Sequence, residues 1–344
     1  MKAIVVHQWT TFDKLRLEDV EEPVLEPNQV KIRVQAAGIS FAMSLVVQGL
    51  YQRKPPRPFI PGTEIAGIVE EIGTNTRRFK IGDRVCAVLD WGGLAETAVA
   101  REVNTYPIPD ELDFCRAIGF TNSYATSAAA LTWSHLLNVK ANDVLLVHGA
   151  TGGVGLAAIQ IGKILRAKVI ATVSSAAKLK IAYEHGADHV INHTTSDFRE
   201  SVLEITSNKG ANSVFDPIGG KIFMQSLRCM APEGRIIPVG FASGTIPQIP
   251  ANILLVKNLT VCGLNLGLYF GWTPTDKRYE YEKLFRNHMT KLFAWFSQGK
   301  INPVVRRVFP LDQASNAMNL VLKRQSVGRI AVVMNEEKNN QLTY

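Results

Sequence analysis

Cysteine is scarce in this chain of 344 residues: there are four, Cys86, Cys115, Cys229 and Cys262, and no two stand in a C-x-x-C pair. That spacing argues against a disulfide framework or a zinc knuckle and leaves each cysteine to act as a small buried apolar residue. No uninterrupted apolar run approaches the roughly 20 residues needed to span a bilayer. The opening run Met1–Val6 meets His7 and Gln8 too soon to form the apolar region of a signal peptide. A soluble, cytoplasmic protein with no membrane partner is the expectation. Basic residues outnumber acidic ones, for a formal charge of +8, yet they never gather into a run. The densest groups are the pairs Arg53-Lys54, Arg77-Arg78, Arg306-Arg307 and Lys323-Arg324, read as solvated surface, although a basic face also suits a ligand rich in phosphate. Internal repeats and low-complexity segments are missing as well. With 46% hydrophobic and 20% charged residues, the chain can bury two substantial cores, and only the tail Glu336–Tyr344 reads as disordered.

Against these absences one stretch stands out. Val144-Leu-Leu-Val147 reads as a buried strand, His148-Gly-Ala-Thr-Gly-Gly-Val-Gly155 as a turn, and Leu156–Ile161 as the start of a helix. Gly152 lets the backbone approach a phosphate closely, Gly155 lets the helix pack on its strand, and the helix N-terminus offers amides and a partial positive charge. The motif is G-x-G-x-x-G with Ala150 in the first place, so by itself it is a loop as readily as a dinucleotide site. Its neighbours extend it. Lys168–Thr172 is a β-branched run suited to the next parallel strand, which closes a βαβ unit. Alternation continues through helical Ala176–His185, strand-like His189–Asn192, helical Phe198–Thr206, and strand-like Ser213–Asp216 and Arg235–Gly240. Strands alternating with helices predict an α/β fold with a doubly wound parallel sheet.

The end of the second strand selects the cofactor. An Asp or Glu there would bind a ribose 2′-hydroxyl and repel a 2′-phosphate. This chain has Thr172-Val-Ser174-Ser175-Ala-Ala-Lys178, with a hydroxyl donor and a cation and no acid, which favours NADPH. The competing reading makes Ser174 and Ser175 helix caps and Lys178 a solvated side chain.

The first 120 residues differ in texture. Short β-rich runs, Lys31–Gln35 and Ile65–Ile72, are separated by Pro23, Pro27, Pro61 and Gly62 and predict a partly open β-barrel. After Gly263 come an aromatic segment, a helical pattern over Tyr281–Gln298, and a strand, Gly328–Val333, by which the chain end can return to the first domain.

The residues Gly38-Ile-Ser-Phe-Ala-Met43, Gln48-Gly-Leu-Tyr51, Pro61-Gly-Thr-Glu-Ile-Ala-Gly67, Gly82-Asp-Arg-Val85, Ala150–Gly155, Phe215-Asp-Pro-Ile-Gly-Gly220 and Val239-Gly-Phe241 resemble the medium-chain dehydrogenase/reductases. Within that superfamily they are most similar to the zinc-independent quinone oxidoreductases, the zeta-crystallin group. The resemblance runs from Met1 to about Met334. It implies a discontinuous GroES-like β-rich catalytic domain over residues 1–121 and 267–344, a Rossmann NADPH-binding domain over 122–266, and a homodimer.

Zinc-dependent relatives place a catalytic Cys and His where this chain carries Ser40 and Thr63, and their four-cysteine lobe has no counterpart beyond Asp90–Gly93, so no metal is expected. Without a Lewis acid to hold an alkoxide, reduction of a conjugated acceptor, which spreads its own charge, is favoured over alcohol oxidation. The resemblance assigns Thr151, Gly152, Gly153, Val154 and Gly155 to the pyrophosphate. It gives Ser174 and Lys178 to the 2′-phosphate and places His193 beside the adenosine. Val239, Gly240, Phe241, Leu264 and Asn265 fall to the nicotinamide half. Tyr51 is the candidate catalytic residue, donating a hydrogen bond to the acceptor or stacking on it, with plain packing as its alternative. Ser40, Met43, Thr63, Tyr124 and Thr126 are expected at the substrate cleft. Many relatives carry Asn-Phe-x-Asp where this chain has Ser40-Phe41-Ala42-Met43, which removes a carboxylate and predicts a more apolar pocket. The aromatic segment Leu268–Trp272 can lid a cleft, meet a partner or simply pack.

The expected activity is NADPH-dependent, zinc-free hydride transfer to a quinone or an α,β-unsaturated carbonyl compound. An enoyl-thioester reductase is the rival enzyme, and an RNA-binding or structural protein of zeta-crystallin type is the rival class, for which no nucleic-acid motif is present. Lys178→Glu is expected to reverse the cofactor preference toward NADH, read as the ratio of kcat/KM for the two nucleotides; an unchanged ratio would refute the 2′-phosphate assignment.

Overall fold

The computed structural model describes residues 1–334; the tail Glu336–Tyr344 lies outside the described residues. By internal packing the chain divides into two units, Met1–Asn122 together with the residues from Leu266 onward, and Ser123–Asn265.

The first stretch forms β1 (Lys2–Val5), β2 (Arg16–Asp19), β3 (Gln29–Ile39), helix α1 (Phe41–Val47), β4 (Glu64–Ile72), β5 (Arg84–Val88), β6 (Thr97–Arg101), β7 (Thr105–Pro107) and helix α2 (Phe114–Gly119). Strand β3 shows why these runs pair. Val30, Ile32 and Val34 alternate inward and are at most 1% exposed, while Lys31 and Arg33 face outward. On the antiparallel neighbour β4 they meet Glu71 and Glu70, at 2.8 and 2.7 Å. Strand β5 pairs with β4 and β7 with β5, all antiparallel. The other edge of β3 pairs with β6 only over Gln29–Arg33, which leaves its C-terminal half for a further strand.

The second unit holds α3 (Ala125–Thr132), β8 (Val144–Val147), α4 (Gly153–Ile164), β9 (Lys168–Val173), α5 (Ala176–Glu184), β10 (His189–Asn192), α6 (Phe198–Ile205), β11 (Ala211–Asp216), α7 (Gly220–Ser226), β12 (Met230–Pro238), α8 (Ala251–Lys257) and β13 (Thr260–Val261). Six strands form one wholly parallel sheet in the order β10-β9-β8-β11-β12-β13. The continuous apolar run of β8 follows from that position: Leu145, Leu146 and Val147 lie mid-sheet with no exposed surface. Leu146, Ile170, Val214 and Ile236 join Phe223 of α7 and Leu227, its C-cap, in its core.

The last stretch contributes α9 (Glu282–Ser297), β14 (Val305–Pro310), α10 (Ala314–Leu322) and β15 (Arg329–Val333). Strand β15 pairs antiparallel with β3 over Ile39–Ala36 and parallel with β14, so these last strands complete the sheet built on β3, apart from the separate β1–β2 pair. A buried ion pair spans this junction. Arg329 Nη2 donates to Glu64 Oε2, with side chains 10% and 3% exposed, and Asn122 Nδ2 donates to the other carboxylate oxygen at 2.5 Å. Gly38 of β3 lies beneath the pair, and a Cβ there would meet both charged groups. Breaking a buried pair strands a charge, so Arg329→Met is expected to cost about 3 kcal/mol, read as a fall in urea midpoint. The double variant Glu64→Gln/Arg329→Met should recover much of it; equal loss in both would refute the pair's role.

Candidate active site

Five of the six parallel strands end in a segment that the sequence marks for a cofactor, and all lie on the carboxyl edge of the sheet. After β8 the chain turns at Gly149, whose φ of +55° suits glycine. Gly149, rather than the position of Ala150, therefore makes the tight turn, a role the motif's spacing did not reveal. Gly152 is the N-cap of α4, and a Cβ added to it would meet only Gly149 O, at 3.4 Å, so its outer side is open. A Cβ on Gly155 would instead strike the backbone of Gly149 and Ala150, which accounts for glycine where the helix crosses its strand. Gly153 and Val154 lie on the first turn of α4, whose leading amides have no acceptor within the helix. Thr151, 4% exposed, completes the turn.

After β9, Ser174 is exposed and Ser175 occupies the N-cap of α5 without a side-chain capping hydrogen bond. The capping alternative therefore finds no support at Ser175. Lys178 follows on the first turn of α5, half-buried, and desolvation lowers its pKa. After β10, His193 donates its backbone N–H to Val173 O at 3.0 Å, which sets it beside the end of β9. Burial lowers its pKa, so the imidazole is favoured neutral. Val239, Gly240 and Phe241 follow β12, and Leu264 and Asn265 follow β13. The half-exposed Phe241 ring and the adjoining backbone are held against the end of β11 by Val239 N–H to Asp216 O at 2.8 Å and Ala242 N–H to Pro217 O at 3.1 Å.

Tyr124 and Thr126 belong to the same unit. The Tyr124 hydroxyl donates to Gln160 Oε1 of α4 at 2.9 Å in a buried setting that raises its pKa, so it serves the interior of this unit. Thr126, on α3, is partly buried.

The remaining candidates lie in the first unit. Ser40 is the N-cap of α1, where its Oγ accepts from Met43 N at 3.4 Å. Met43 is 5% exposed and packs within the hydrophobic core, while Thr63 is partly buried and accepts from Leu89 N through its carbonyl. Tyr51 is partly buried. Desolvation raises its pKa against the smaller opposing effects of Gln52 and the Arg53 charge, which keeps the phenol protonated and able to donate.

Arg53, read from sequence as half of a solvated pair, is nothing of the kind. Its guanidinium lies 5.0 Å from the Trp91 ring centre and 5.6 Å from that of Trp272, and pairs with Asp90 at 3.0 Å. Arg278, 4% exposed, pairs with the same Asp90 at 3.1 Å and with Asp276 at 2.8 Å. Two cations and two anions thereby fasten the aromatic segment beside the Tyr51 loop. Tyr269 and Phe270 pack on Phe285 of α9, and Asn104 Nδ2 donates to Phe270 O at 3.2 Å. Packing is what the segment does within this unit.

Among the described residues no group of three His, Cys, Asp or Glu side chains is placed to hold a metal, and the four cysteines are free and buried. No helix of the described residues is long and apolar enough to cross a membrane.

Sequence reasoning passed over His148, which is fully buried at the end of β8. Ser226 Oγ donates to Ile222 O at 2.8 Å, so its single proton is committed and His148 Nε2–H must donate to it, also at 2.8 Å. Nδ1 is left to accept from Thr172 Oγ1 at 2.8 Å. Neutral His148 thus ties β9, just before Ser174, to α7. Desolvation, helped slightly by His193, pushes its pKa down to about 3.

The residues 26–110 match the family described as alcohol dehydrogenase GroES-like domain, and 153–286 that described as zinc-binding dehydrogenase. The quinone oxidoreductase-like protein 2 homolog of Nematostella vectensis is 39% identical over 90% of this chain and 82% of its own length. The Escherichia coli quinone oxidoreductase complexed with NADPH superposes with a TM-score of 0.87 at 28% identity, covering 97% of this chain and all of its own. A 2-haloacrylate reductase gives 0.82 at 28% identity, over 97% and 100%.

Because the unfolded state binds a proton at His148 near pH 6.5 and the folded state only near 3, its stability contribution is complete above about pH 6.5 and declines as pH falls toward 3. Urea midpoints measured across that range should show the wild type losing up to about 1.4 kcal/mol per pH unit relative to His148→Ala. Parallel profiles would refute the neutral buried imidazole.

Proposed function

Since the chain belongs to the quinone oxidoreductase-like family of the medium-chain dehydrogenase/reductases, we propose that it is an NADPH-dependent, zinc-free reductase acting on a quinone or an α,β-unsaturated carbonyl compound. The observation that carries the reading is the carboxyl edge of the parallel sheet, where an open glycine turn and the Ser174–Lys178 segment stand together and no acid ends β9.

The residues present fit that cofactor. The leading amides of α4, with Thr151 and the open side of Gly152, receive the pyrophosphate, and Ser174 and Lys178 hold the 2′-phosphate by hydroxyl and charge. His193 lies beside the adenosine, and the segments at Val239–Phe241 and Leu264–Asn265 hold the nicotinamide half. When bound, NADPH supplies the hydride. Tyr51, protonated at neutral pH, donates a hydrogen bond to the acceptor oxygen and favours the charge that develops there. By the resemblance, Ser40 and Thr63 stand where zinc-dependent relatives carry Cys and His, and an acceptor that spreads its own charge, such as a quinone or enone, suits residues that offer no such ligands. Two structural neighbours support the reading: one is a quinone oxidoreductase complexed with NADPH, the other a reductase of 2-haloacrylate, an activated alkene.

We place the enzyme in the cytoplasm, acting as a homodimer without membrane or nucleic-acid partners. Support for the dimer comes from the resemblance and from α8, which precedes the edge strand β13 and on which Leu255 and Val256 are each 77% exposed.

Loss of NADPH absorbance with a panel of quinones, enones and enoyl thioesters tests the function. Turnover with quinones or enones, at a higher kcat/KM for NADPH than for NADH, is the expected result. Turnover confined to enoyl thioesters would replace the substrate class. Cofactor binding without turnover, together with salt-sensitive RNA binding, would replace the enzyme reading altogether.

A further inference from the structure

Asp216 ends β11 with no exposed surface. It stands beside β8, where the strand order reverses and ligands of such sheets bind. Its carboxylate is turned back on its own chain. Oδ1 accepts from Ile218 N at 2.7 Å and from Gly219 N at 3.1 Å, and Oδ2 accepts from Gly219 N at 3.2 Å. These bonds hold Pro217–Gly219 in a tight turn that ends in two left-handed residues, Gly219 and Gly220, with φ of +72° and +54°.

That turn is a template for two others. Pro217 O accepts from Ala242 N, and Ile218 O from Ser243 N at 2.9 Å, so the segment after β12 is laid along it. A Cβ on Gly219 would lie 2.9 Å from Phe241 Cδ1, and one on Gly240 would lie 3.3 Å from Pro217 O. On the opposite side, a Cβ on Gly149 would lie 3.0 Å from Pro217 Cγ and 3.1 Å from Ile218 Cδ1. The carboxylate therefore sets the shape of the segment carrying Val239, Gly240 and Phe241, and abuts the glycine turn.

We propose that Asp216 is a positioning residue for the nicotinamide half of the bound nucleotide, acting through the Pro217–Gly219 turn on Val239–Phe241; this rests on the NADPH reading above. The ionised form is the effective one, because hydrogen bonds to a carboxylate are roughly twice as strong as neutral ones. Protonation, or an amide at this position, weakens the fastening.

The charged surroundings are sparse. On β8 the neighbouring titratable group is His148, held neutral by burial. Residues 236–250 of β12 and the following segment carry no titratable side chain, and Lys221 of α7 is exposed. Desolvation pushes the Asp216 pKa up to about 6, against the two backbone N–H groups that lower it.

The test compares the affinity of wild type and Asp216→Asn for NADPH and for adenosine 2′,5′-bisphosphate, which carries the adenosine half alone. At about pH 7.5 the variant is expected to bind NADPH about tenfold more weakly and the bisphosphate within about twofold of wild type. As pH falls through 6, the variant-to-wild-type ratio for NADPH should shrink toward one. The ratio cancels the titration of the 2′-phosphate itself. Equal weakening toward both ligands would show a merely structural residue, and an unchanged NADPH affinity or a ratio indifferent to pH would overturn the proposal. Wild type that binds neither ligand would overturn the cofactor reading and this inference with it.

Discussion

The contact between the start of α4 and the turn at Gly149–Ala150 leaves no space for a Cβ at Gly155, and much of the nucleotide-binding unit depends on that closeness. It brings the helix onto β8, the strand at the middle of a parallel sheet, and aims the helix amides at the carboxyl edge. Because every crossover in such a sheet returns to the same starting end, the exits of β9, β10, β11, β12 and β13 fall on the edge that the helix faces. Segments as distant in sequence as those holding Ser174, His193, Val239 and Asn265 are thereby brought to one edge of the sheet.

Buried polar groups at that edge do what apolar packing cannot. His148 joins β9 to α7 through two hydrogen bonds, and Asp216 curls its own exit turn against the next one. Each group is held away from its ordinary titration range by burial, His148 toward the neutral base and Asp216 toward the neutral acid. Such groups are costly to bury, and both lie where strand ends must hold a defined shape. In the other unit the Glu64–Arg329 pair plays a comparable part, joining the start of β4 to the start of β15, the last strand of the described residues.

Legibility in the sequence followed periodicity. The parallel strands and their helices declared themselves because continuous apolar runs and amphipathic patterns are local properties, and His189–Asn192 has the same bounds in sequence and structure. The glycine motif declared the turn but misplaced its hinge: Gly149 bears the positive φ, one residue before the position the spacing singles out. Arg53 was legible only as a basic pair, since its partners Asp90, Trp91 and Trp272 lie far along the chain. Ser40 and Met43 carry a cap and a core contact that their motif does not disclose, because both depend on where α1 begins and which face it buries.

Composition, spacing and local pattern by themselves determined the α/β class, the glycine turn after the first parallel strand, the missing acid after the second and the lack of paired cysteines, all of which are matters of residue type at short range. Tertiary structure alone decided the fate of the polar groups. Whether Tyr124 spends its hydroxyl on Gln160, whether Asp216 is ionised, and whether an arginine is solvated or stacked depend on burial and on partners brought from distant segments. Desolvation and hydrogen bonding are properties of that three-dimensional neighbourhood, and no spacing along the chain encodes them.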